Sequence, residues 1–365
     1  MILTRKQKLK RMLLKPMCLI PTREDTVSFL CYGCTQYSCN PKYISEYIHN
    51  HYGKKYKLIW FYTNEHVKDL LPSYVEAYKK NTLQYFIALS RSKYIISNVT
   101  LPRVVTFKKN QIKINTWHGT AFKGDNNKFG NDYNRFDLFV SENELTANVL
   151  RRKDSFNFQG KILKCGMPRN DILINPPYEA IKKFKSKLKI SEEYKIVIYA
   201  PTYREGENGD VFKLNISNLK NILSEKFGGK WIVIFRYHHL QKGRIRVPDS
   251  MDLTEYPDMQ ELLLISDVLI TDYSSSMWDF SLMHKPAFIF AEDVEHYIGK
   301  ERGEFYWPLN KLPFSISQSN NELSENILKF DAKKYYENIS KYHSEFGRYN
   351  KDGNATTKFV SIIFK

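Results

Sequence analysis

Residues 256–290 read YPDMQELLLISDVLITDYSSSMWDFSLMHKPAFIF. Met259 to Ile265 is apolar enough for a buried helix, and Asp267 to Thr271 for a strand. The polar turn Thr271-Asp272-Tyr273-Ser274-Ser275-Ser276 follows, then a second helix from Met277 to Met283 and a second strand from Ala287 to Phe290. Strands that alternate with helices in this way make parallel α/β units. A strand that ends in consecutive serines at a helix start offers backbone N–H groups, hydroxyls and the helix dipole together, which suits a diphosphate. The plainer account is that Ser274 or Ser275 only caps the helix. Ligands of open α/β sheets bind at strand ends, which favours the anion site.

The same grammar runs outward in both directions. Toward the N-terminus, Val27 to Cys31, Leu58 to Tyr62, Tyr94 to Ser97 and Ile112 to Trp117 read as strands, with helices over Lys42 to Asn50 and Leu70 to Lys79. After Pro176-Pro177 and a lysine-rich helix the pattern restarts, with strands at Lys195 to Ala200, Trp231 to Arg236, Val268 to Thr271 and Ala287 to Phe290. A length of 365 residues suits two domains, here 1–175 and 176–365. Two more strand ends in the second half carry phosphate-binding chemistry. Pro201-Thr202-Tyr203-Arg204 follows one strand and Arg236-Tyr237-His238-His239 another; arginine forks onto phosphate, and histidine donates a proton near neutral pH. In the first half, a strand leads into Trp117-His118-Gly119-Thr120. There Gly119 permits a tight turn, and His118 is a candidate general base or, as an isolated case, a structural histidine.

Composition narrows the class. Apolar residues at 42% and charged residues at 26% describe a folded globular chain and exclude wholesale disorder. With 56 basic against 39 acidic side chains the net charge is +17, which favours a polyanionic partner without choosing one. Motifs for RNA recognition are missing, so no nucleic-acid partner is expected. No apolar run reaches the roughly 18 residues of a membrane span, and no export signal follows the basic N-terminus. Five cysteines read as reduced thiols; Cys31, Cys34 and Cys39 lack the second pair a zinc site needs. Residues 1–15 carry Arg5, Lys6, Lys8, Lys10, Arg11 and Lys15, with Ile2, Leu9, Met12 and Leu13 near one helical face. That segment is either a membrane-contacting basic helix or a solvated extension.

Several stretches, in order, resemble the CDP-glycerol glycerophosphotransferase family, the primases and polymerases of teichoic acid and related capsule polymers. They are TWHGTAFK at 116–123, GMPRNDIL at 166–173, YAPTYRE at 199–205, FRYHH at 235–239 and LITDYSSSMWDF at 269–280. SCNPKYISEY at 38–47, RGEFY at 302–306 and DGNAT at 352–356 match more loosely. Ala121-Phe122 departs from the family's Pro-Leu, and Glu304 interrupts its Arg-Gly-Phe-Tyr. The resemblance implies a GT-B-like α/β fold: two Rossmann-like domains facing across a cleft, acceptor toward the first and nucleotide donor in the second.

It further implies transfer of glycerol phosphate from CDP-glycerol to a hydroxyl of a lipid-linked saccharide, releasing CMP. A nucleotide-sugar glycosyltransferase and a CDP-ribitol-dependent ribitol phosphate transferase are the alternatives. His118 and His238 would be catalytic. Thr202, Arg204, Arg236, Thr271, Asp272, Ser274, Ser275 and Ser276 would bind the donor, and Gly119, Thr120, Lys123, Arg169 and Asp171 would line the acceptor side. No metal or cofactor is expected, although a loosely held magnesium ion stays open. The family's polymerases typically carry an extra N-terminal domain, so priming or single addition is expected. The enzyme would work in the cytoplasm, peripheral on the anionic inner face of the membrane.

Overall fold

Parallel strands buried on both faces need long apolar, β-branched and aromatic runs, and the chain supplies two sets of them. The computed structural model describes residues 3–121, 130–202, 214–237, 250–297 and 305–364. The first sheet contains β1 (Arg23–Leu30), β2 (Lys57–Tyr62), β3 (Glu76–Lys79), β4 (Ser92–Ser97), β5 (Ile112–Asn115), β6 (Leu138–Ser141) and β7 (Lys161–Lys164). Their order is β3-β2-β1-β4-β5-β6-β7, and every described pairing is parallel. The second contains β8 (Tyr194–Ala200), β9 (Lys230–Phe235), β10 (Ser250–Asp252), β11 (Val268–Thr271), β12 (Ala287–Phe290) and β13 (Ser315–Ser317), ordered β10-β9-β8-β11-β12-β13 and again parallel.

Each sheet therefore starts in the middle, runs to one edge, and returns to build the other side. This is the doubly wound order, and it leaves a crevice beyond the strand ends where the direction reverses. In the first sheet the reversal lies between β1 and β4; in the second, between β8 and β11. Those two pairs of strand ends are where ligand-binding side chains are expected.

The chain divides into two units: 1–118 with 127–171 and 348–365, and 119–126 with 172–347. Residues 348–365 thus cluster with the first unit rather than the second. The reason is apolar: helix Ala355–Ile363 brings Phe359, Val360 and Ile363 into the same core as Val27, Trp60, Ile114 and Met167. Burying side chains of that size is worth about 1.5–3 kcal/mol each. In the second unit Val197, Val233, Ile270 and Phe288 from the sheet pack with Leu219 and Leu223 of helix Ile216–Phe227.

The expected helix over Leu70 to Lys79 is not present. A short helix, Glu65–Asp69, is followed by β3 at Glu76–Lys79, while Leu70, Leu71, Tyr74 and Val75 pack against the first core from the loop between. Pro72 removes a donor and disfavours helix before it, which explains the break. At the N-terminus helix Arg5–Leu14 carries a capping box between Thr4 and Gln7 and buries none of its residues.

Candidate active site

In the second unit the ends of β8 and β11 are tied together across the reversal point. Thr271 Oγ1 donates to Ala200 O at 2.6 Å, and Asp272 accepts from Thr202 N–H at 2.9 Å and from Thr202 Oγ1 at 3.0 Å. Asp272 also accepts from Tyr273 N–H, so its carboxylate, only 2% exposed, is compensated by hydrogen bonds as a buried charge must be. Thr271, Asp272 and Thr202 thus brace the two loops. Tyr273 is buried, stacks on Tyr297 with centroids 4.0 Å apart, and donates to Asp293. This anchors the serine turn from beneath.

In the turn, Ser274 Oγ accepts from Ser276 N–H at 3.2 Å and from Ser276 Oγ at 2.9 Å, which is the capping role. Ser275 sits at the cap of helix Ser276–Ser281 without capping it through its side chain. Its hydroxyl lies against Gly119: a Cβ there would come within 2.3 Å of Ser275 Oγ. Gly119 is thus required for close approach. The left-handed backbone of this loop is at Trp117, with φ +53°. Arg236 is anchored by Nη1 to Tyr256 O at 2.7 Å, and Tyr237 N–H donates to Thr254 Oγ1. Burial, with Asp252 nearby, pushes the Tyr237 phenol up to about 12. Arg204, His238 and Lys123 lie outside the described residues.

In the first unit His118 follows β5, beside the reversal point. Its Nδ1 is 2.7 Å from Asn98 O, just past β4. A carbonyl oxygen only accepts, so Nδ1 carries the hydrogen and the neutral ring's lone pair is on Nε2. The ring packs between Trp117, with centroids 4.2 Å apart, and Tyr32, at 5.6 Å. A non-glycine residue at positive φ costs about 1–2 kcal/mol and persists only where its surroundings hold it. Trp117 N–H is held by Asn115 Oδ1 at 2.7 Å, and Trp117 O by Asn40 Nδ2 at 3.0 Å. Asn98 does double service, its Oδ1 accepting from Tyr32 N–H at 2.7 Å. Tyr32 also has positive φ, and burial raises its phenol well above the usual range.

A family model described as CDP-Glycerol:Poly(glycerophosphate) glycerophosphotransferase matches residues 13–365. The chain belongs to this glycerophosphotransferase family. It is 31% identical to a teichoic acid poly(glycerol phosphate) polymerase of Staphylococcus epidermidis over 94% of its own length, and spans about half (51%) of that relative. A Bacillus spizizenii polymerase of the same description is 30% identical, covered to 93%, and a Staphylococcus aureus teichoic acid glycerol-phosphate transferase is 28% identical, also covered to 93%. Among solved structures the wall teichoic acid polymerase TagF superposes with a TM-score of 0.85 at 29% identity, over 98% of this chain and 93% of that one. The fold is accordingly α/β and GT-B-like.

Two of the glycerophosphotransferase's expected acceptor-side residues are built into the scaffold. Asp171 accepts from Asn350 Nδ2 (2.7 Å), Ala355 N–H (2.9 Å), Thr356 N–H (2.8 Å) and Thr356 Oγ1 (2.7 Å), so it fastens the last helix. Arg169 is buried; its N–H donates to Asn40 Oδ1 and its Nη1 to Cys39 Sγ at 3.3 Å. Thr120 is buried as well.

Cys31, Cys34 and Cys39 are buried free thiols, with Cys34 pushed up to about 12 by burial, and among the described residues no cluster suits a metal ion. Asp267 accepts from Ile196 N–H within β8, whereas Asp272 accepts from Thr202, past the end of that strand. Sequence reasoning missed Asn40, Asn98 and Asn115. Their shared signal is position, at or just past strand ends or a helix start beside the histidine loop.

Proposed function

We propose that this glycerophosphotransferase moves glycerol phosphate from CDP-glycerol to an acceptor hydroxyl in teichoic acid-type polymer synthesis. The observation that carries the reading is the His118 Nδ1–Asn98 O hydrogen bond, which gives the ring a basic Nε2 at the end of a central strand. His118 Nε2 takes the hydroxyl proton as the acceptor oxygen bonds to the phosphorus bearing glycerol. The bond from that phosphorus to the bridging oxygen breaks, and the electron pair leaves with CMP. Phosphoryl transfer depends mainly on positioning and charge stabilisation. Arg236 and Arg204, with Ser274, Ser275 and Ser276, supply positive charge and donors to the diphosphate, and His238 protonates or stabilises the leaving CMP.

Glycerol is favoured over ribitol because the glycerol-phosphate relatives reach 31% and 30% identity, against 25% for a Staphylococcus aureus ribitol-phosphate polymerase. The length argument for single addition loses its force, since a relative named as a polymerase is matched over 93% of its length. Supplying CDP-glycerol, CDP-ribitol and UDP-sugars side by side with a lipid-linked saccharide should yield CMP chiefly from CDP-glycerol, and product mass then counts the units added. Preferred turnover of a UDP-sugar would refute the reading.

The lipid-linked acceptor places the enzyme at the cytoplasmic membrane face. No helix among the described residues is long and apolar enough to cross a membrane. Helix Arg5–Leu14 instead exposes Leu9, Met12 and Leu13, with Leu19 beyond it 85% exposed, beside Arg5, Lys6, Lys8 and Lys15. Each such charge contributes about 1 kcal/mol at an anionic surface, and shallow apolar insertion adds to it. Deleting residues 1–15 should abolish most co-sedimentation with phosphatidylglycerol vesicles at low salt and slow transfer to vesicle-borne acceptor, while a short soluble acceptor is used normally. Unchanged sedimentation would assign the lipid contact to another surface.

A further inference from the structure

The amide of Asn40, fully buried at the second position of helix Cys39–Tyr52, is turned away from its own helix. That helix has no side-chain cap at Ser38, and Asn40 Nδ2 reaches instead across 76 residues of sequence to Thr116 O at 2.8 Å and to Trp117 O at 3.0 Å. Its Oδ1 accepts from Arg169 N–H at 3.0 Å. One side chain thereby joins the helix start, the loop that carries His118, and the Gly166-Met167-Pro168-Arg169 turn. We infer that Asn40 is a positioning residue for the reaction, acting through His118; the inference rests on the reading of His118 as the general base.

Trp117, the residue just before His118, sits at φ +53°, where an L side chain is disfavoured. Its N–H is held by Asn115 and its carbonyl by Asn40, so the peptide that leads into His118 is fixed at both ends. Release of the carbonyl lets Trp117 relax toward negative φ. The His118 backbone then rotates, and the 2.7 Å bond from Nδ1–H to Asn98 O, which sets the tautomer, is lost. Asn115 is already engaged on both atoms of its amide, Oδ1 accepting the Trp117 N–H and Nδ2 donating to Val99 O.

The test compares Asn40→Ala and Asn40→Asp, alone and combined with His118→Ala. Aspartate is isosteric and retains the acceptor for Arg169 N–H, while it removes the amide donors to Thr116 O, Trp117 O and Met167 Sδ and turns a negative charge toward the two carbonyls of the histidine loop. Both variants should lower kcat by about 10- to 100-fold, the scale of a misplaced catalytic group, with KM for CDP-glycerol changed less than about twofold. On the His118→Ala background the same substitutions should change the residual rate by less than about twofold, because the group they position is gone. Equal losses on both backgrounds, or a normal kcat in Asn40→Asp, would overturn the inference. Independently of activity, the ¹⁵N signals of His118 should show a single Nδ1–H tautomer in the parent and a mixture in Asn40→Asp; an unchanged tautomer in Asn40→Asp counts against it. Near-normal transfer by His118→Ala alone would remove the general-base reading itself, and the tautomer measurement still separates that failure from one of Asn40.

Discussion

Replacing His118 with alanine should cut transfer by about 100- to 10,000-fold, the usual cost of a lost general base, and leave CDP-glycerol affinity nearly unchanged. The base belongs to the unit built on the first sheet, whereas the braced loops proposed for the donor belong to the second. The substitution removes a half-buried imidazole and one hydrogen bond to Asn98 O, so its effect on stability is small beside its effect on rate. Single-turnover rates and calorimetric titration with CDP-glycerol, run on the same preparation, check both halves. Rates near the parent's would make His118 a structural residue satisfied by the backbone. Loss of donor affinity equal to the loss of rate would move it to the donor's side of the reaction.

The largest stability effect is expected at Asp171. Four donors converge on one carboxylate, and hydrogen bonds to a charged group are worth about 1.5–3 kcal/mol each without adding fully. Asp171→Ala should therefore destabilise the first unit by about 3–5 kcal/mol. Two of the four donors are the N–H groups of Ala355 and Thr356 in the first turn of helix Ala355–Ile363; the loss falls where that helix is fastened. Denaturant unfolding should show the first unit melting earlier, and limited proteolysis should cut anew near residues 348–354. Asp171→Asn, which retains acceptor capacity on one oxygen, should lose about half as much. A variant that unfolds like the parent and resists protease would show that apolar packing alone holds the helix.

Much of the architecture was legible because buried parallel strands announce themselves. Leu58-Ile59-Trp60-Phe61-Tyr62 and Lys195-Ile196-Val197-Ile198-Tyr199-Ala200 carry the short apolar, β-branched and aromatic runs of strands covered on both faces. Four of the strands that escaped notice, Glu76–Lys79, Lys161–Lys164, Ser250–Asp252 and Ser315–Ser317, are short, carry polar residues and lie at sheet edges, where burial demands less of the sequence; the fifth, Leu138–Ser141, is interior but only four residues long. Leu70, Leu71, Tyr74 and Val75 mimic helical spacing, yet Pro72 stands among them and they pack from a loop.

The candidate site divides along a similar line. His118 and the serine turn could be read because they adjoin the strands that display them. The roles of Asn40 and Asn98 are contacts between distant segments, which local spacing does not specify, whereas Asn115 holds Trp117 N–H only two residues away. Asp171 stands in the recognisable stretch 166–173, but its four hydrogen-bond donors come from residues 350–356, which its own sequence neighbourhood does not announce.

The return of Arg348–Lys365 to the first unit also sets an order of assembly. During synthesis the seven-stranded sheet emerges first, but the helix that covers Val27, Trp60 and Ile114 is translated after the whole of the second unit. Until then the histidine-bearing unit exposes an apolar seam, and its completion waits on the ribosome. The second unit is inserted between residues 171 and 348 of the first, so its folding shortens the loop that the last helix has to close. The second unit thus serves as a scaffold for finishing its neighbour, and slow folding there should be felt first as aggregation of the half that carries His118.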